Sequence, residues 1–171
     1  MKRNLPILCL VAAVLLTGCG ITGKTASEKR AEEEKTARAV QEMLDERSYQ
    51  IDINYMIPLR ASPRAVSLYS VIVDGSTIDS HLPYIGDARS VPYGGGKGLT
   101  FKEDIQSYTD KGWEKGCRTI LINVKNEEDT YVYTLEVFEN GDAAIHVSSQ
   151  NRDNISYRGA LDLDYKKDEA E

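Results

Sequence analysis

Few side chains in this sequence are of a type that could carry out catalysis. Carboxylates cluster at residues 127–129 and at Asp162 and Asp164, and the two histidines are His81 and His146. A glycosidase needs a pair of carboxylates at a set separation, which a sequence does not reveal. The first cluster lies in a predicted turn and the second alternates with leucines, so both are expected to stay hydrated. We therefore predict no catalytic residue, and an envelope hydrolase of glycan or peptide that uses scattered acids and His81 is the alternative.

Neither a metal site nor a nucleotide site is predicted. Calcium takes roughly six to eight oxygen ligands, and no loop of regularly spaced acids is present to supply them. Residues 94–98, GGGKG, invite comparison with a phosphate-binding loop, but that motif requires Ser or Thr where Gly98 follows Lys97. The formal net charge of −6 is unlike the basic surface that binds nucleic acid. We predict no cofactor, no metal and no nucleic-acid partner.

The first 18 residues have the organisation of a bacterial signal peptide. Lys2 and Arg3 precede an apolar stretch at residues 5–16, which is too short to cross a hydrocarbon core that requires roughly 20 residues. Residues 16–19, LTGC, match the bacterial lipobox, so cleavage is expected before Cys19, followed by acylation of that cysteine. Several acyl chains anchor a protein firmly where a single chain would be marginal. The predicted membrane partner is therefore reached through lipid on Cys19.

The residue after Cys19 bears on the destination. It is Gly20 rather than Asp, which under bacterial sorting favours the outer membrane, and residues 20–27 contain no acid, which favours a domain that faces the periplasm. Loss of Lys2 and Arg3 with the signal peptide takes the formal net charge from −6 to −8. Once Cys9 has left with the leader and Cys19 is lipidated, Cys117 is the one thiol remaining, and we expect it to be buried and inert.

A short tether and a helix follow the predicted lipid site. Residues 19–27 are small and polar, as in a flexible tether. Residues 28–47 are rich in helix-forming side chains, and Ser27 is placed to cap the helix. Val40, Met43 and Leu44 form a short apolar stripe near its end, so we expect that half to dock on the domain.

From Tyr49 onward the hydrophobic period changes to two, which is typical of half-buried strands. The hairpin signals Asp74-Gly75 and Asn140-Gly141 separate several of them. The predicted strands cover residues 49–57, 66–74, 77–82, 99–106, 119–125, 131–137, 143–147 and 155–163, with residues 108–116 as a connection. The predicted fold class is α+β, with an N-terminal helix packed against a curved, mainly antiparallel meander or partly closed barrel. A single domain at residues 28–165 and a charged tail at residues 166–171 complete the predicted organisation.

Residues 82–101 form a long predicted loop with two Pro-Tyr pairs and a run of glycines. Two large rings are unusual in a flexible linker, so we expect an ordered loop. Its candidate binding residues are Tyr84, Tyr93 and Lys97, since binding residues often lie on loops held by a rigid scaffold. The preferred alternative is a loop that caps the core, in which truncation of Tyr84 destabilises the protein and truncation of Tyr93 has a milder effect.

Several short motifs resemble those of a known family. They are Pro58 with Arg60, Leu82-Pro83-Tyr84 with Gly86 and Ala88, Pro92-Tyr93, Gly98-Leu99 with Phe101, Asn140-Gly141, Arg152, and Ile155-Ser156-Tyr157 with Gly159. On these motifs, residues 49–165 resemble a family of Bacteroidetes lipoproteins classed only as a domain of unknown function. The resemblance implies a Gram-negative envelope lipoprotein, and it implies no activity and no functional residue. The leading hypothesis is a non-catalytic lipoprotein that binds a protein, peptide or glycan through its tyrosine-rich loop.

Overall fold

The computed structural model describes residues 25–89 and 98–166. The predicted signal peptide, Cys19, Tyr93 and Lys97 lie outside these residues. One helix precedes eight strands in the order α1 (Ala26–Glu46), β1 (Ser48–Pro58), β2 (Arg64–Asp74), β3 (Thr77–Leu82), β4 (Leu99–Glu114), β5 (Cys117–Lys125), β6 (Thr130–Phe138), β7 (Asp142–Ser149) and β8 (Ile155–Leu161). No helix of the described part is both long and apolar enough to span a bilayer.

The strands form a closed antiparallel barrel. Each strand pairs with the next along the chain, and β8 pairs with β1 to complete the ring. Closure leaves no terminal edge strand in the ring, although residues 64–69 of β2 and residues 107–114 of β4 are paired on one side only. The predicted α+β class with an antiparallel meander is confirmed, and the meander takes the form of a barrel that is fully closed.

Strands β5 to β7 follow the period-two pattern of the sequence. Ile120, Ile122 and Val124 alternate with half-buried neighbours, and the buried residues of β6 and β7 lie opposite them in register. Four tyrosines with at most 1% exposure fill much of the interior: Tyr49, Tyr131, Tyr133 and Tyr157. The barrel is therefore packed with side chains and is a core rather than a channel.

Buried tyrosine hydroxyls find partners at the barrel interior and at its ends. The hydroxyl of Tyr133 lies 2.9 Å from Ser80 Oγ, which donates to the carbonyl of Leu99 at 2.8 Å. The hydroxyl of Tyr157 donates to the carbonyl of Pro83 at 2.6 Å. Burial raises the pKa of Tyr133 and Tyr157, so both remain neutral donors. These bonds tie the loop after β3 to the core.

Strand β1 departs from the predicted pattern. A β-bulge between Ile53 and Tyr55 shifts the register against both β2 and β8. The extra residue reverses the faces beyond it, so Met56 is buried and Tyr55 points outward. The period-two pattern predicted for residues 49–57 therefore does not keep one face buried beyond the bulge.

Strand β4 is much longer than predicted. The segment assigned as a connection, residues 108–116, is largely strand, because β4 continues to Glu114. Its glycines mark a bulge, where Gly112 has φ 76°, and a tight turn to β5, where Lys115 and Gly116 have φ 53° and 78°. Positive φ at both central residues is what a two-residue hairpin turn requires. The prediction failed because glycines in a bulged strand resemble those of a loop.

The helix begins earlier than predicted and is capped by a different residue. Thr25, not Ser27, is the N-cap: its Oγ1 accepts from the Glu28 amide at 3.3 Å, and Glu28 Oε2 accepts from the Thr25 amide at 2.7 Å. This reciprocal pair is a capping box. Docking of the second half is confirmed, since Val40 and Leu44 are buried while residues 25–35 are exposed.

One arginine holds the helix end against the barrel. Arg118, on β5, is 7% exposed and binds Asp45 of α1 at 2.6 Å and Asp110 of β4 through a short salt bridge. The Arg118 hydrogen bond lowers the pKa of Asp110, and the two carboxylates raise that of Arg118. Trp113 lies over the same guanidinium, with its ring centroid 6.0 Å away. The helix therefore covers one end of the barrel, and the loop after β3 lies at the other.

Two smaller expectations also need correction. The predicted last strand is too long, because β8 ends at Leu161 and Leu163 is exposed in the turn that follows. Cys117 is half-buried rather than buried, on the outside of β5. Desolvation, followed by the neighbouring Glu136 carboxylate, raises the pKa of its thiol, which keeps the sulfur in its unreactive protonated form.

Candidate functional site

The candidate binding residue Tyr84 is packed into the loop end of the barrel. Its hydroxyl donates to the carbonyls of Asp87 at 3.0 Å and Asp153 at 3.3 Å. Gly86 permits this arrangement, because a Cβ at that position would stand 2.5 Å from the Tyr84 hydroxyl oxygen. Partial burial raises the pKa of Tyr84, which suits a hydroxyl that acts as a donor. The ring therefore joins the loop after β3 to the turn between β7 and β8.

Backbone bonds and an arginine reinforce the same junction. The amide of Asp153 donates to the Asp87 carbonyl at 3.0 Å, and Ala88 forms an isolated antiparallel bridge with Arg152. Arg60, from the turn between β1 and β2, binds the carboxylate of Asp87 at 2.7 Å and that of Asp153 at 3.5 Å. Three separate connections thus meet at this end of the barrel.

Arg152 lies under the Tyr84 ring. Its guanidinium carbon is 5.6 Å from the ring centroid, and Nη2 binds Glu128 Oε2 at 2.7 Å. Both charged side chains are largely shielded from solvent, at 7% and 15% exposure. A shielded pair of this kind positions the turn between β5 and β6 against the turn between β7 and β8.

The acidic cluster at residues 127–129 is only partly hydrated. Glu127 is exposed as expected, but Asp129 is 6% exposed and accepts bonds from the backbone amides of Thr130, Gln150 and Asn151 at 2.8, 3.2 and 3.2 Å. The prediction that all these acids face water is therefore wrong for Asp129 and for Glu128. By accepting these bonds, the Asp129 carboxylate connects the turn between β5 and β6 to the turn between β7 and β8.

These contacts make the loop end a structural junction. The hydroxyl of Tyr84 is engaged within the chain, which favours the cap over the binding residue for this side chain. Tyr93 and Lys97, the other two candidates, lie outside the described residues. Of the three candidates the structure describes Tyr84 alone, so their grouping into one binding loop stays a prediction.

Truncation of Tyr84 is expected to destabilise the protein. Tyr84→Ala should lower the free energy of unfolding by about 2–3 kcal/mol, below the roughly 3–5 kcal/mol of a fully buried aromatic because the ring is only partly covered. Tyr84→Phe, which removes only the hydroxyl, should cost about 1 kcal/mol. Urea unfolding of both variants measures the difference, and a Tyr84→Ala protein as stable as wild type would show that the ring does not cap the core.

A groove that the sequence did not reveal lies on the outer surface of the barrel. It has a volume of about 810 Å³ and is lined by side chains of β1, β6, β7 and β8 and by the turns at Gly116 and Asn140. Glu136 and Arg158 flank Ala144 in one cross-strand row. Phe138 is 41% exposed and lies toward the end of the barrel that the helix covers. Outward residues of half-buried strands are expected to be polar, so nothing in the sequence distinguished these from an ordinary solvated face.

A second groove of about 490 Å³ shares Glu136, Ala144 and Arg158 with the first and extends toward the loop end. It contains a histidine–serine pair, with His146 Nδ1 2.9 Å from Ser156 Oγ. His81, the histidine in the hydrolase hypothesis, lies elsewhere and packs on Tyr69 at 5.2 Å between ring centroids. Within residues 25–89 and 98–166, no group of three or more His, Cys, Asp or Glu side chains could hold a metal ion.

Comparison with known proteins identifies the family of this chain. Residues 31–161 match the family model described as "Domain of unknown function (DUF4251)". The chain belongs to the DUF4251 family. No curated protein matches it. This assignment confirms the resemblance to a Bacteroidetes family classed as a domain of unknown function.

A solved DUF4251 structure shares the fold. The crystal structure of a DUF4251 family protein from Bacteroides eggerthii DSM 20697, at 1.95 Å resolution, superposes with a TM-score of 0.59 and 12% identity over 77% of this chain and 90% of that one. At this identity the likeness establishes the architecture alone. In this DUF4251 protein many of the motif residues meet at the loop end, namely Arg60, Tyr84, Gly86, Ala88 and Arg152, where they make structural contacts.

Proposed function

We propose that this DUF4251 protein is a lipid-anchored envelope lipoprotein whose barrel is a non-catalytic binding module. The observation that carries the anchoring is the LTGC lipobox at residues 16–19 after a short apolar stretch. The outer membrane, with the barrel in the periplasm, is the proposed location because Gly20 rather than Asp follows Cys19.

The packing of the barrel supports a role on its outer surface. Large side chains fill the interior, including Tyr131, Tyr133 and Tyr157, so a ligand has no room there. At the loop end the acids Asp129 and Asp153 are committed to backbone and arginine partners. Among the described residues, the outside of the strands is therefore a surface that remains available to a partner.

A hydrolase is the second candidate, and the His146–Ser156 pair is the observation that favours it. A serine nucleophile requires a base and a donor pair for the oxyanion. In the described part of the chain no carboxylate is hydrogen-bonded to His146, and the strand amides nearby are used in the barrel ladder. A fluorophosphonate probe tests this reading directly, because labelling lost in Ser156→Ala would establish the hydrolase and overturn the non-catalytic proposal.

Lipid attachment is expected to depend on one cysteine. Cells that produce the full chain and grow with an alkynyl fatty acid should label the wild-type protein, and Cys19→Ala should abolish the label and leave the precursor uncleaved. Cys117→Ala is the matched control and should label like wild type, since its thiol is not in the lipobox. Persistent label on Cys19→Ala, or none on wild type, would refute the anchor.

The proposed orientation has its own test. Protease added to intact cells should leave the barrel uncut if it faces the periplasm, and disruption of the outer membrane should expose it. Cleavage in intact cells would place the domain on the cell surface instead.

A further inference from the structure

We propose that the outer groove, formed by Asn54, Glu136, Phe138, Ala144 and Arg158, is a binding site for a polyhydroxylated glycan. The inference rests on the proposed function as a binding module and names its surface and ligand class. It moves the site from the tyrosine-rich loop to the outside of β6, β7, β8 and β1.

The depression results from the order of side chains across three strands. Glu136, Ala144 and Arg158 are direct cross-strand partners, so a methyl group separates two long charged side chains. With neighbouring strands about 4.8 Å apart, the Cα atoms of Glu136 and Arg158 are separated by roughly 10 Å. Gly159, which lacks a side chain, lines the groove beside them. Small residues, Ala144 and Gly159, therefore form the bottom of the groove, and the long side chains of Glu136 and Arg158 form its sides, as in a site for an elongated ligand.

The groups on the walls match the chemistry of a sugar. Glu136 offers acceptors, Arg158 offers donors, and the amide of Asn54 offers both. Glu136 and Arg158 are exposed, and neither is held in a salt bridge within the described residues. Phe138, 41% exposed, supplies an apolar face for the C–H surface of a pyranose ring. A groove of about 810 Å³ is large enough for a ligand of several rings.

An extended peptide is less well suited to this surface. Peptides commonly bind to sheets by adding a strand to an exposed edge, which supplies hydrogen bonds to the whole backbone. The strands that line the groove, β1, β6, β7 and β8, are each paired on both sides, so this surface offers a peptide no free edge. A peptide would have to satisfy its backbone through side chains alone, whereas the hydroxyls of a glycan are suited to partners of that kind.

The test is a titration of the full mature protein, isotope-labelled and held in a detergent without a sugar headgroup. The probes are maltohexaose, cellohexaose and the hexamer of N-acetylglucosamine, with a hexapeptide of alternating Lys and Ala as the competing class. At least one saccharide should shift the amide resonances of Ala144 and Arg158, with a dissociation constant between about 10 μM and 1 mM.

Substitutions locate the site. Arg158→Gln and Phe138→Ala should each weaken saccharide binding about tenfold or more, as for contacts central to an interface. Lys102→Gln is the matched control, because Lys102 is an exposed cation on β4, away from the groove, and should bind like wild type. Unchanged resonances of β2 and β3 will show that the variants are folded.

The groove site would be overturned by the absence of any saccharide shift, by binding unaffected by Arg158→Gln, or by groove shifts produced by the peptide but by none of the saccharides. Saccharide shifts confined to Tyr84 and its neighbours would overturn the groove while leaving a binding module in place. The lipid anchor is judged separately by the label on Cys19, so its failure is distinguishable from failure of the groove.

Discussion

Gly159→Ala is expected to be among the most destabilising single-methyl changes in this protein. Gly159 lies opposite Ile53 at the β1 bulge, where a Cβ would stand 2.8 Å from the carbonyl carbon of Asp52 and 3.1 Å from Ile53 Cα, and would overlap the Asp52 carbonyl oxygen. Overpacking usually costs about 1–3 kcal/mol. Here the obstacle is backbone, which cannot rotate away, so we expect a loss of about 3 kcal/mol or more.

The measurement is urea unfolding of the full chain, with soluble yield as the second readout if the variant fails to fold. Gly75→Ala is the comparison, because a Cβ there meets nothing within 4 Å and the only penalty is its φ of 59°. That left-handed conformation should cost about 1 kcal/mol. If the Gly159→Ala protein is at least as stable as the Gly75→Ala protein, β1 can shift freely and the bulge does not hold β8 as the structure indicates.

The strands that follow a regular pattern could be predicted from sequence. Strand β6 alternates without interruption through Tyr131, Tyr133 and Val137, and Asn140-Gly141 marks the hairpin that follows. Period-two burial and a turn that tolerates positive φ are local properties, so they can be recognised without knowledge of the rest of the fold. The predicted third strand also coincides with β3, since Gly75 sits in the turn before it with φ 59°.

Bulges and closure could not be predicted in the same way. The bulge in β1 depends on the absence of a side chain at Gly159, which is more than 100 positions later in the chain. The pairing of β8 with β1 likewise joins the two ends of the domain, and no local pattern distinguishes a closed meander from an open one. In β4, Gly112 and Gly116 looked like loop residues because a bulge and a tight turn use the same residue type.

The loop end of the barrel shows how far functional residues can be predicted from the sequence. The first Pro-Tyr pair of the predicted loop lies in the described residues, where the Tyr84 hydroxyl bonds to the carbonyls of Asp87 and Asp153, whereas residues 90–97 lie outside them. The outer groove gave no such signal. Glu136 and Arg158 line the same groove only because of the registers of β6, β7 and β8. Strand register depends on the tertiary structure and cannot be read from the local sequence.

Asp129→Ala, in the turn between β5 and β6, is expected to be strongly destabilising, although Asp129 looks like its neighbouring acids in the sequence. The carboxylate accepts from three backbone amides and from the side-chain amide of Asn151. Its removal leaves these donors without a partner at a site that is 6% exposed. Each orphaned donor costs roughly 1 kcal/mol or more, so we expect a loss of about 3 kcal/mol in the free energy of unfolding.

Glu127→Ala is the matched control for that prediction, because Glu127 is exposed in the same turn and its loss should change stability by less than about 0.5 kcal/mol. Asp129→Asn retains one acceptor oxygen and should fall between the two. Hydrogen exchange separates a local role from a general one: in Asp129→Ala the amides of Gln150 and Asn151 should exchange faster than the rest of the barrel, since they lose their acceptor. Equal stability of the Asp129 and Glu127 variants would mean that the buried carboxylate does not join the two turns, and the acids of this segment would then all belong to the solvated surface.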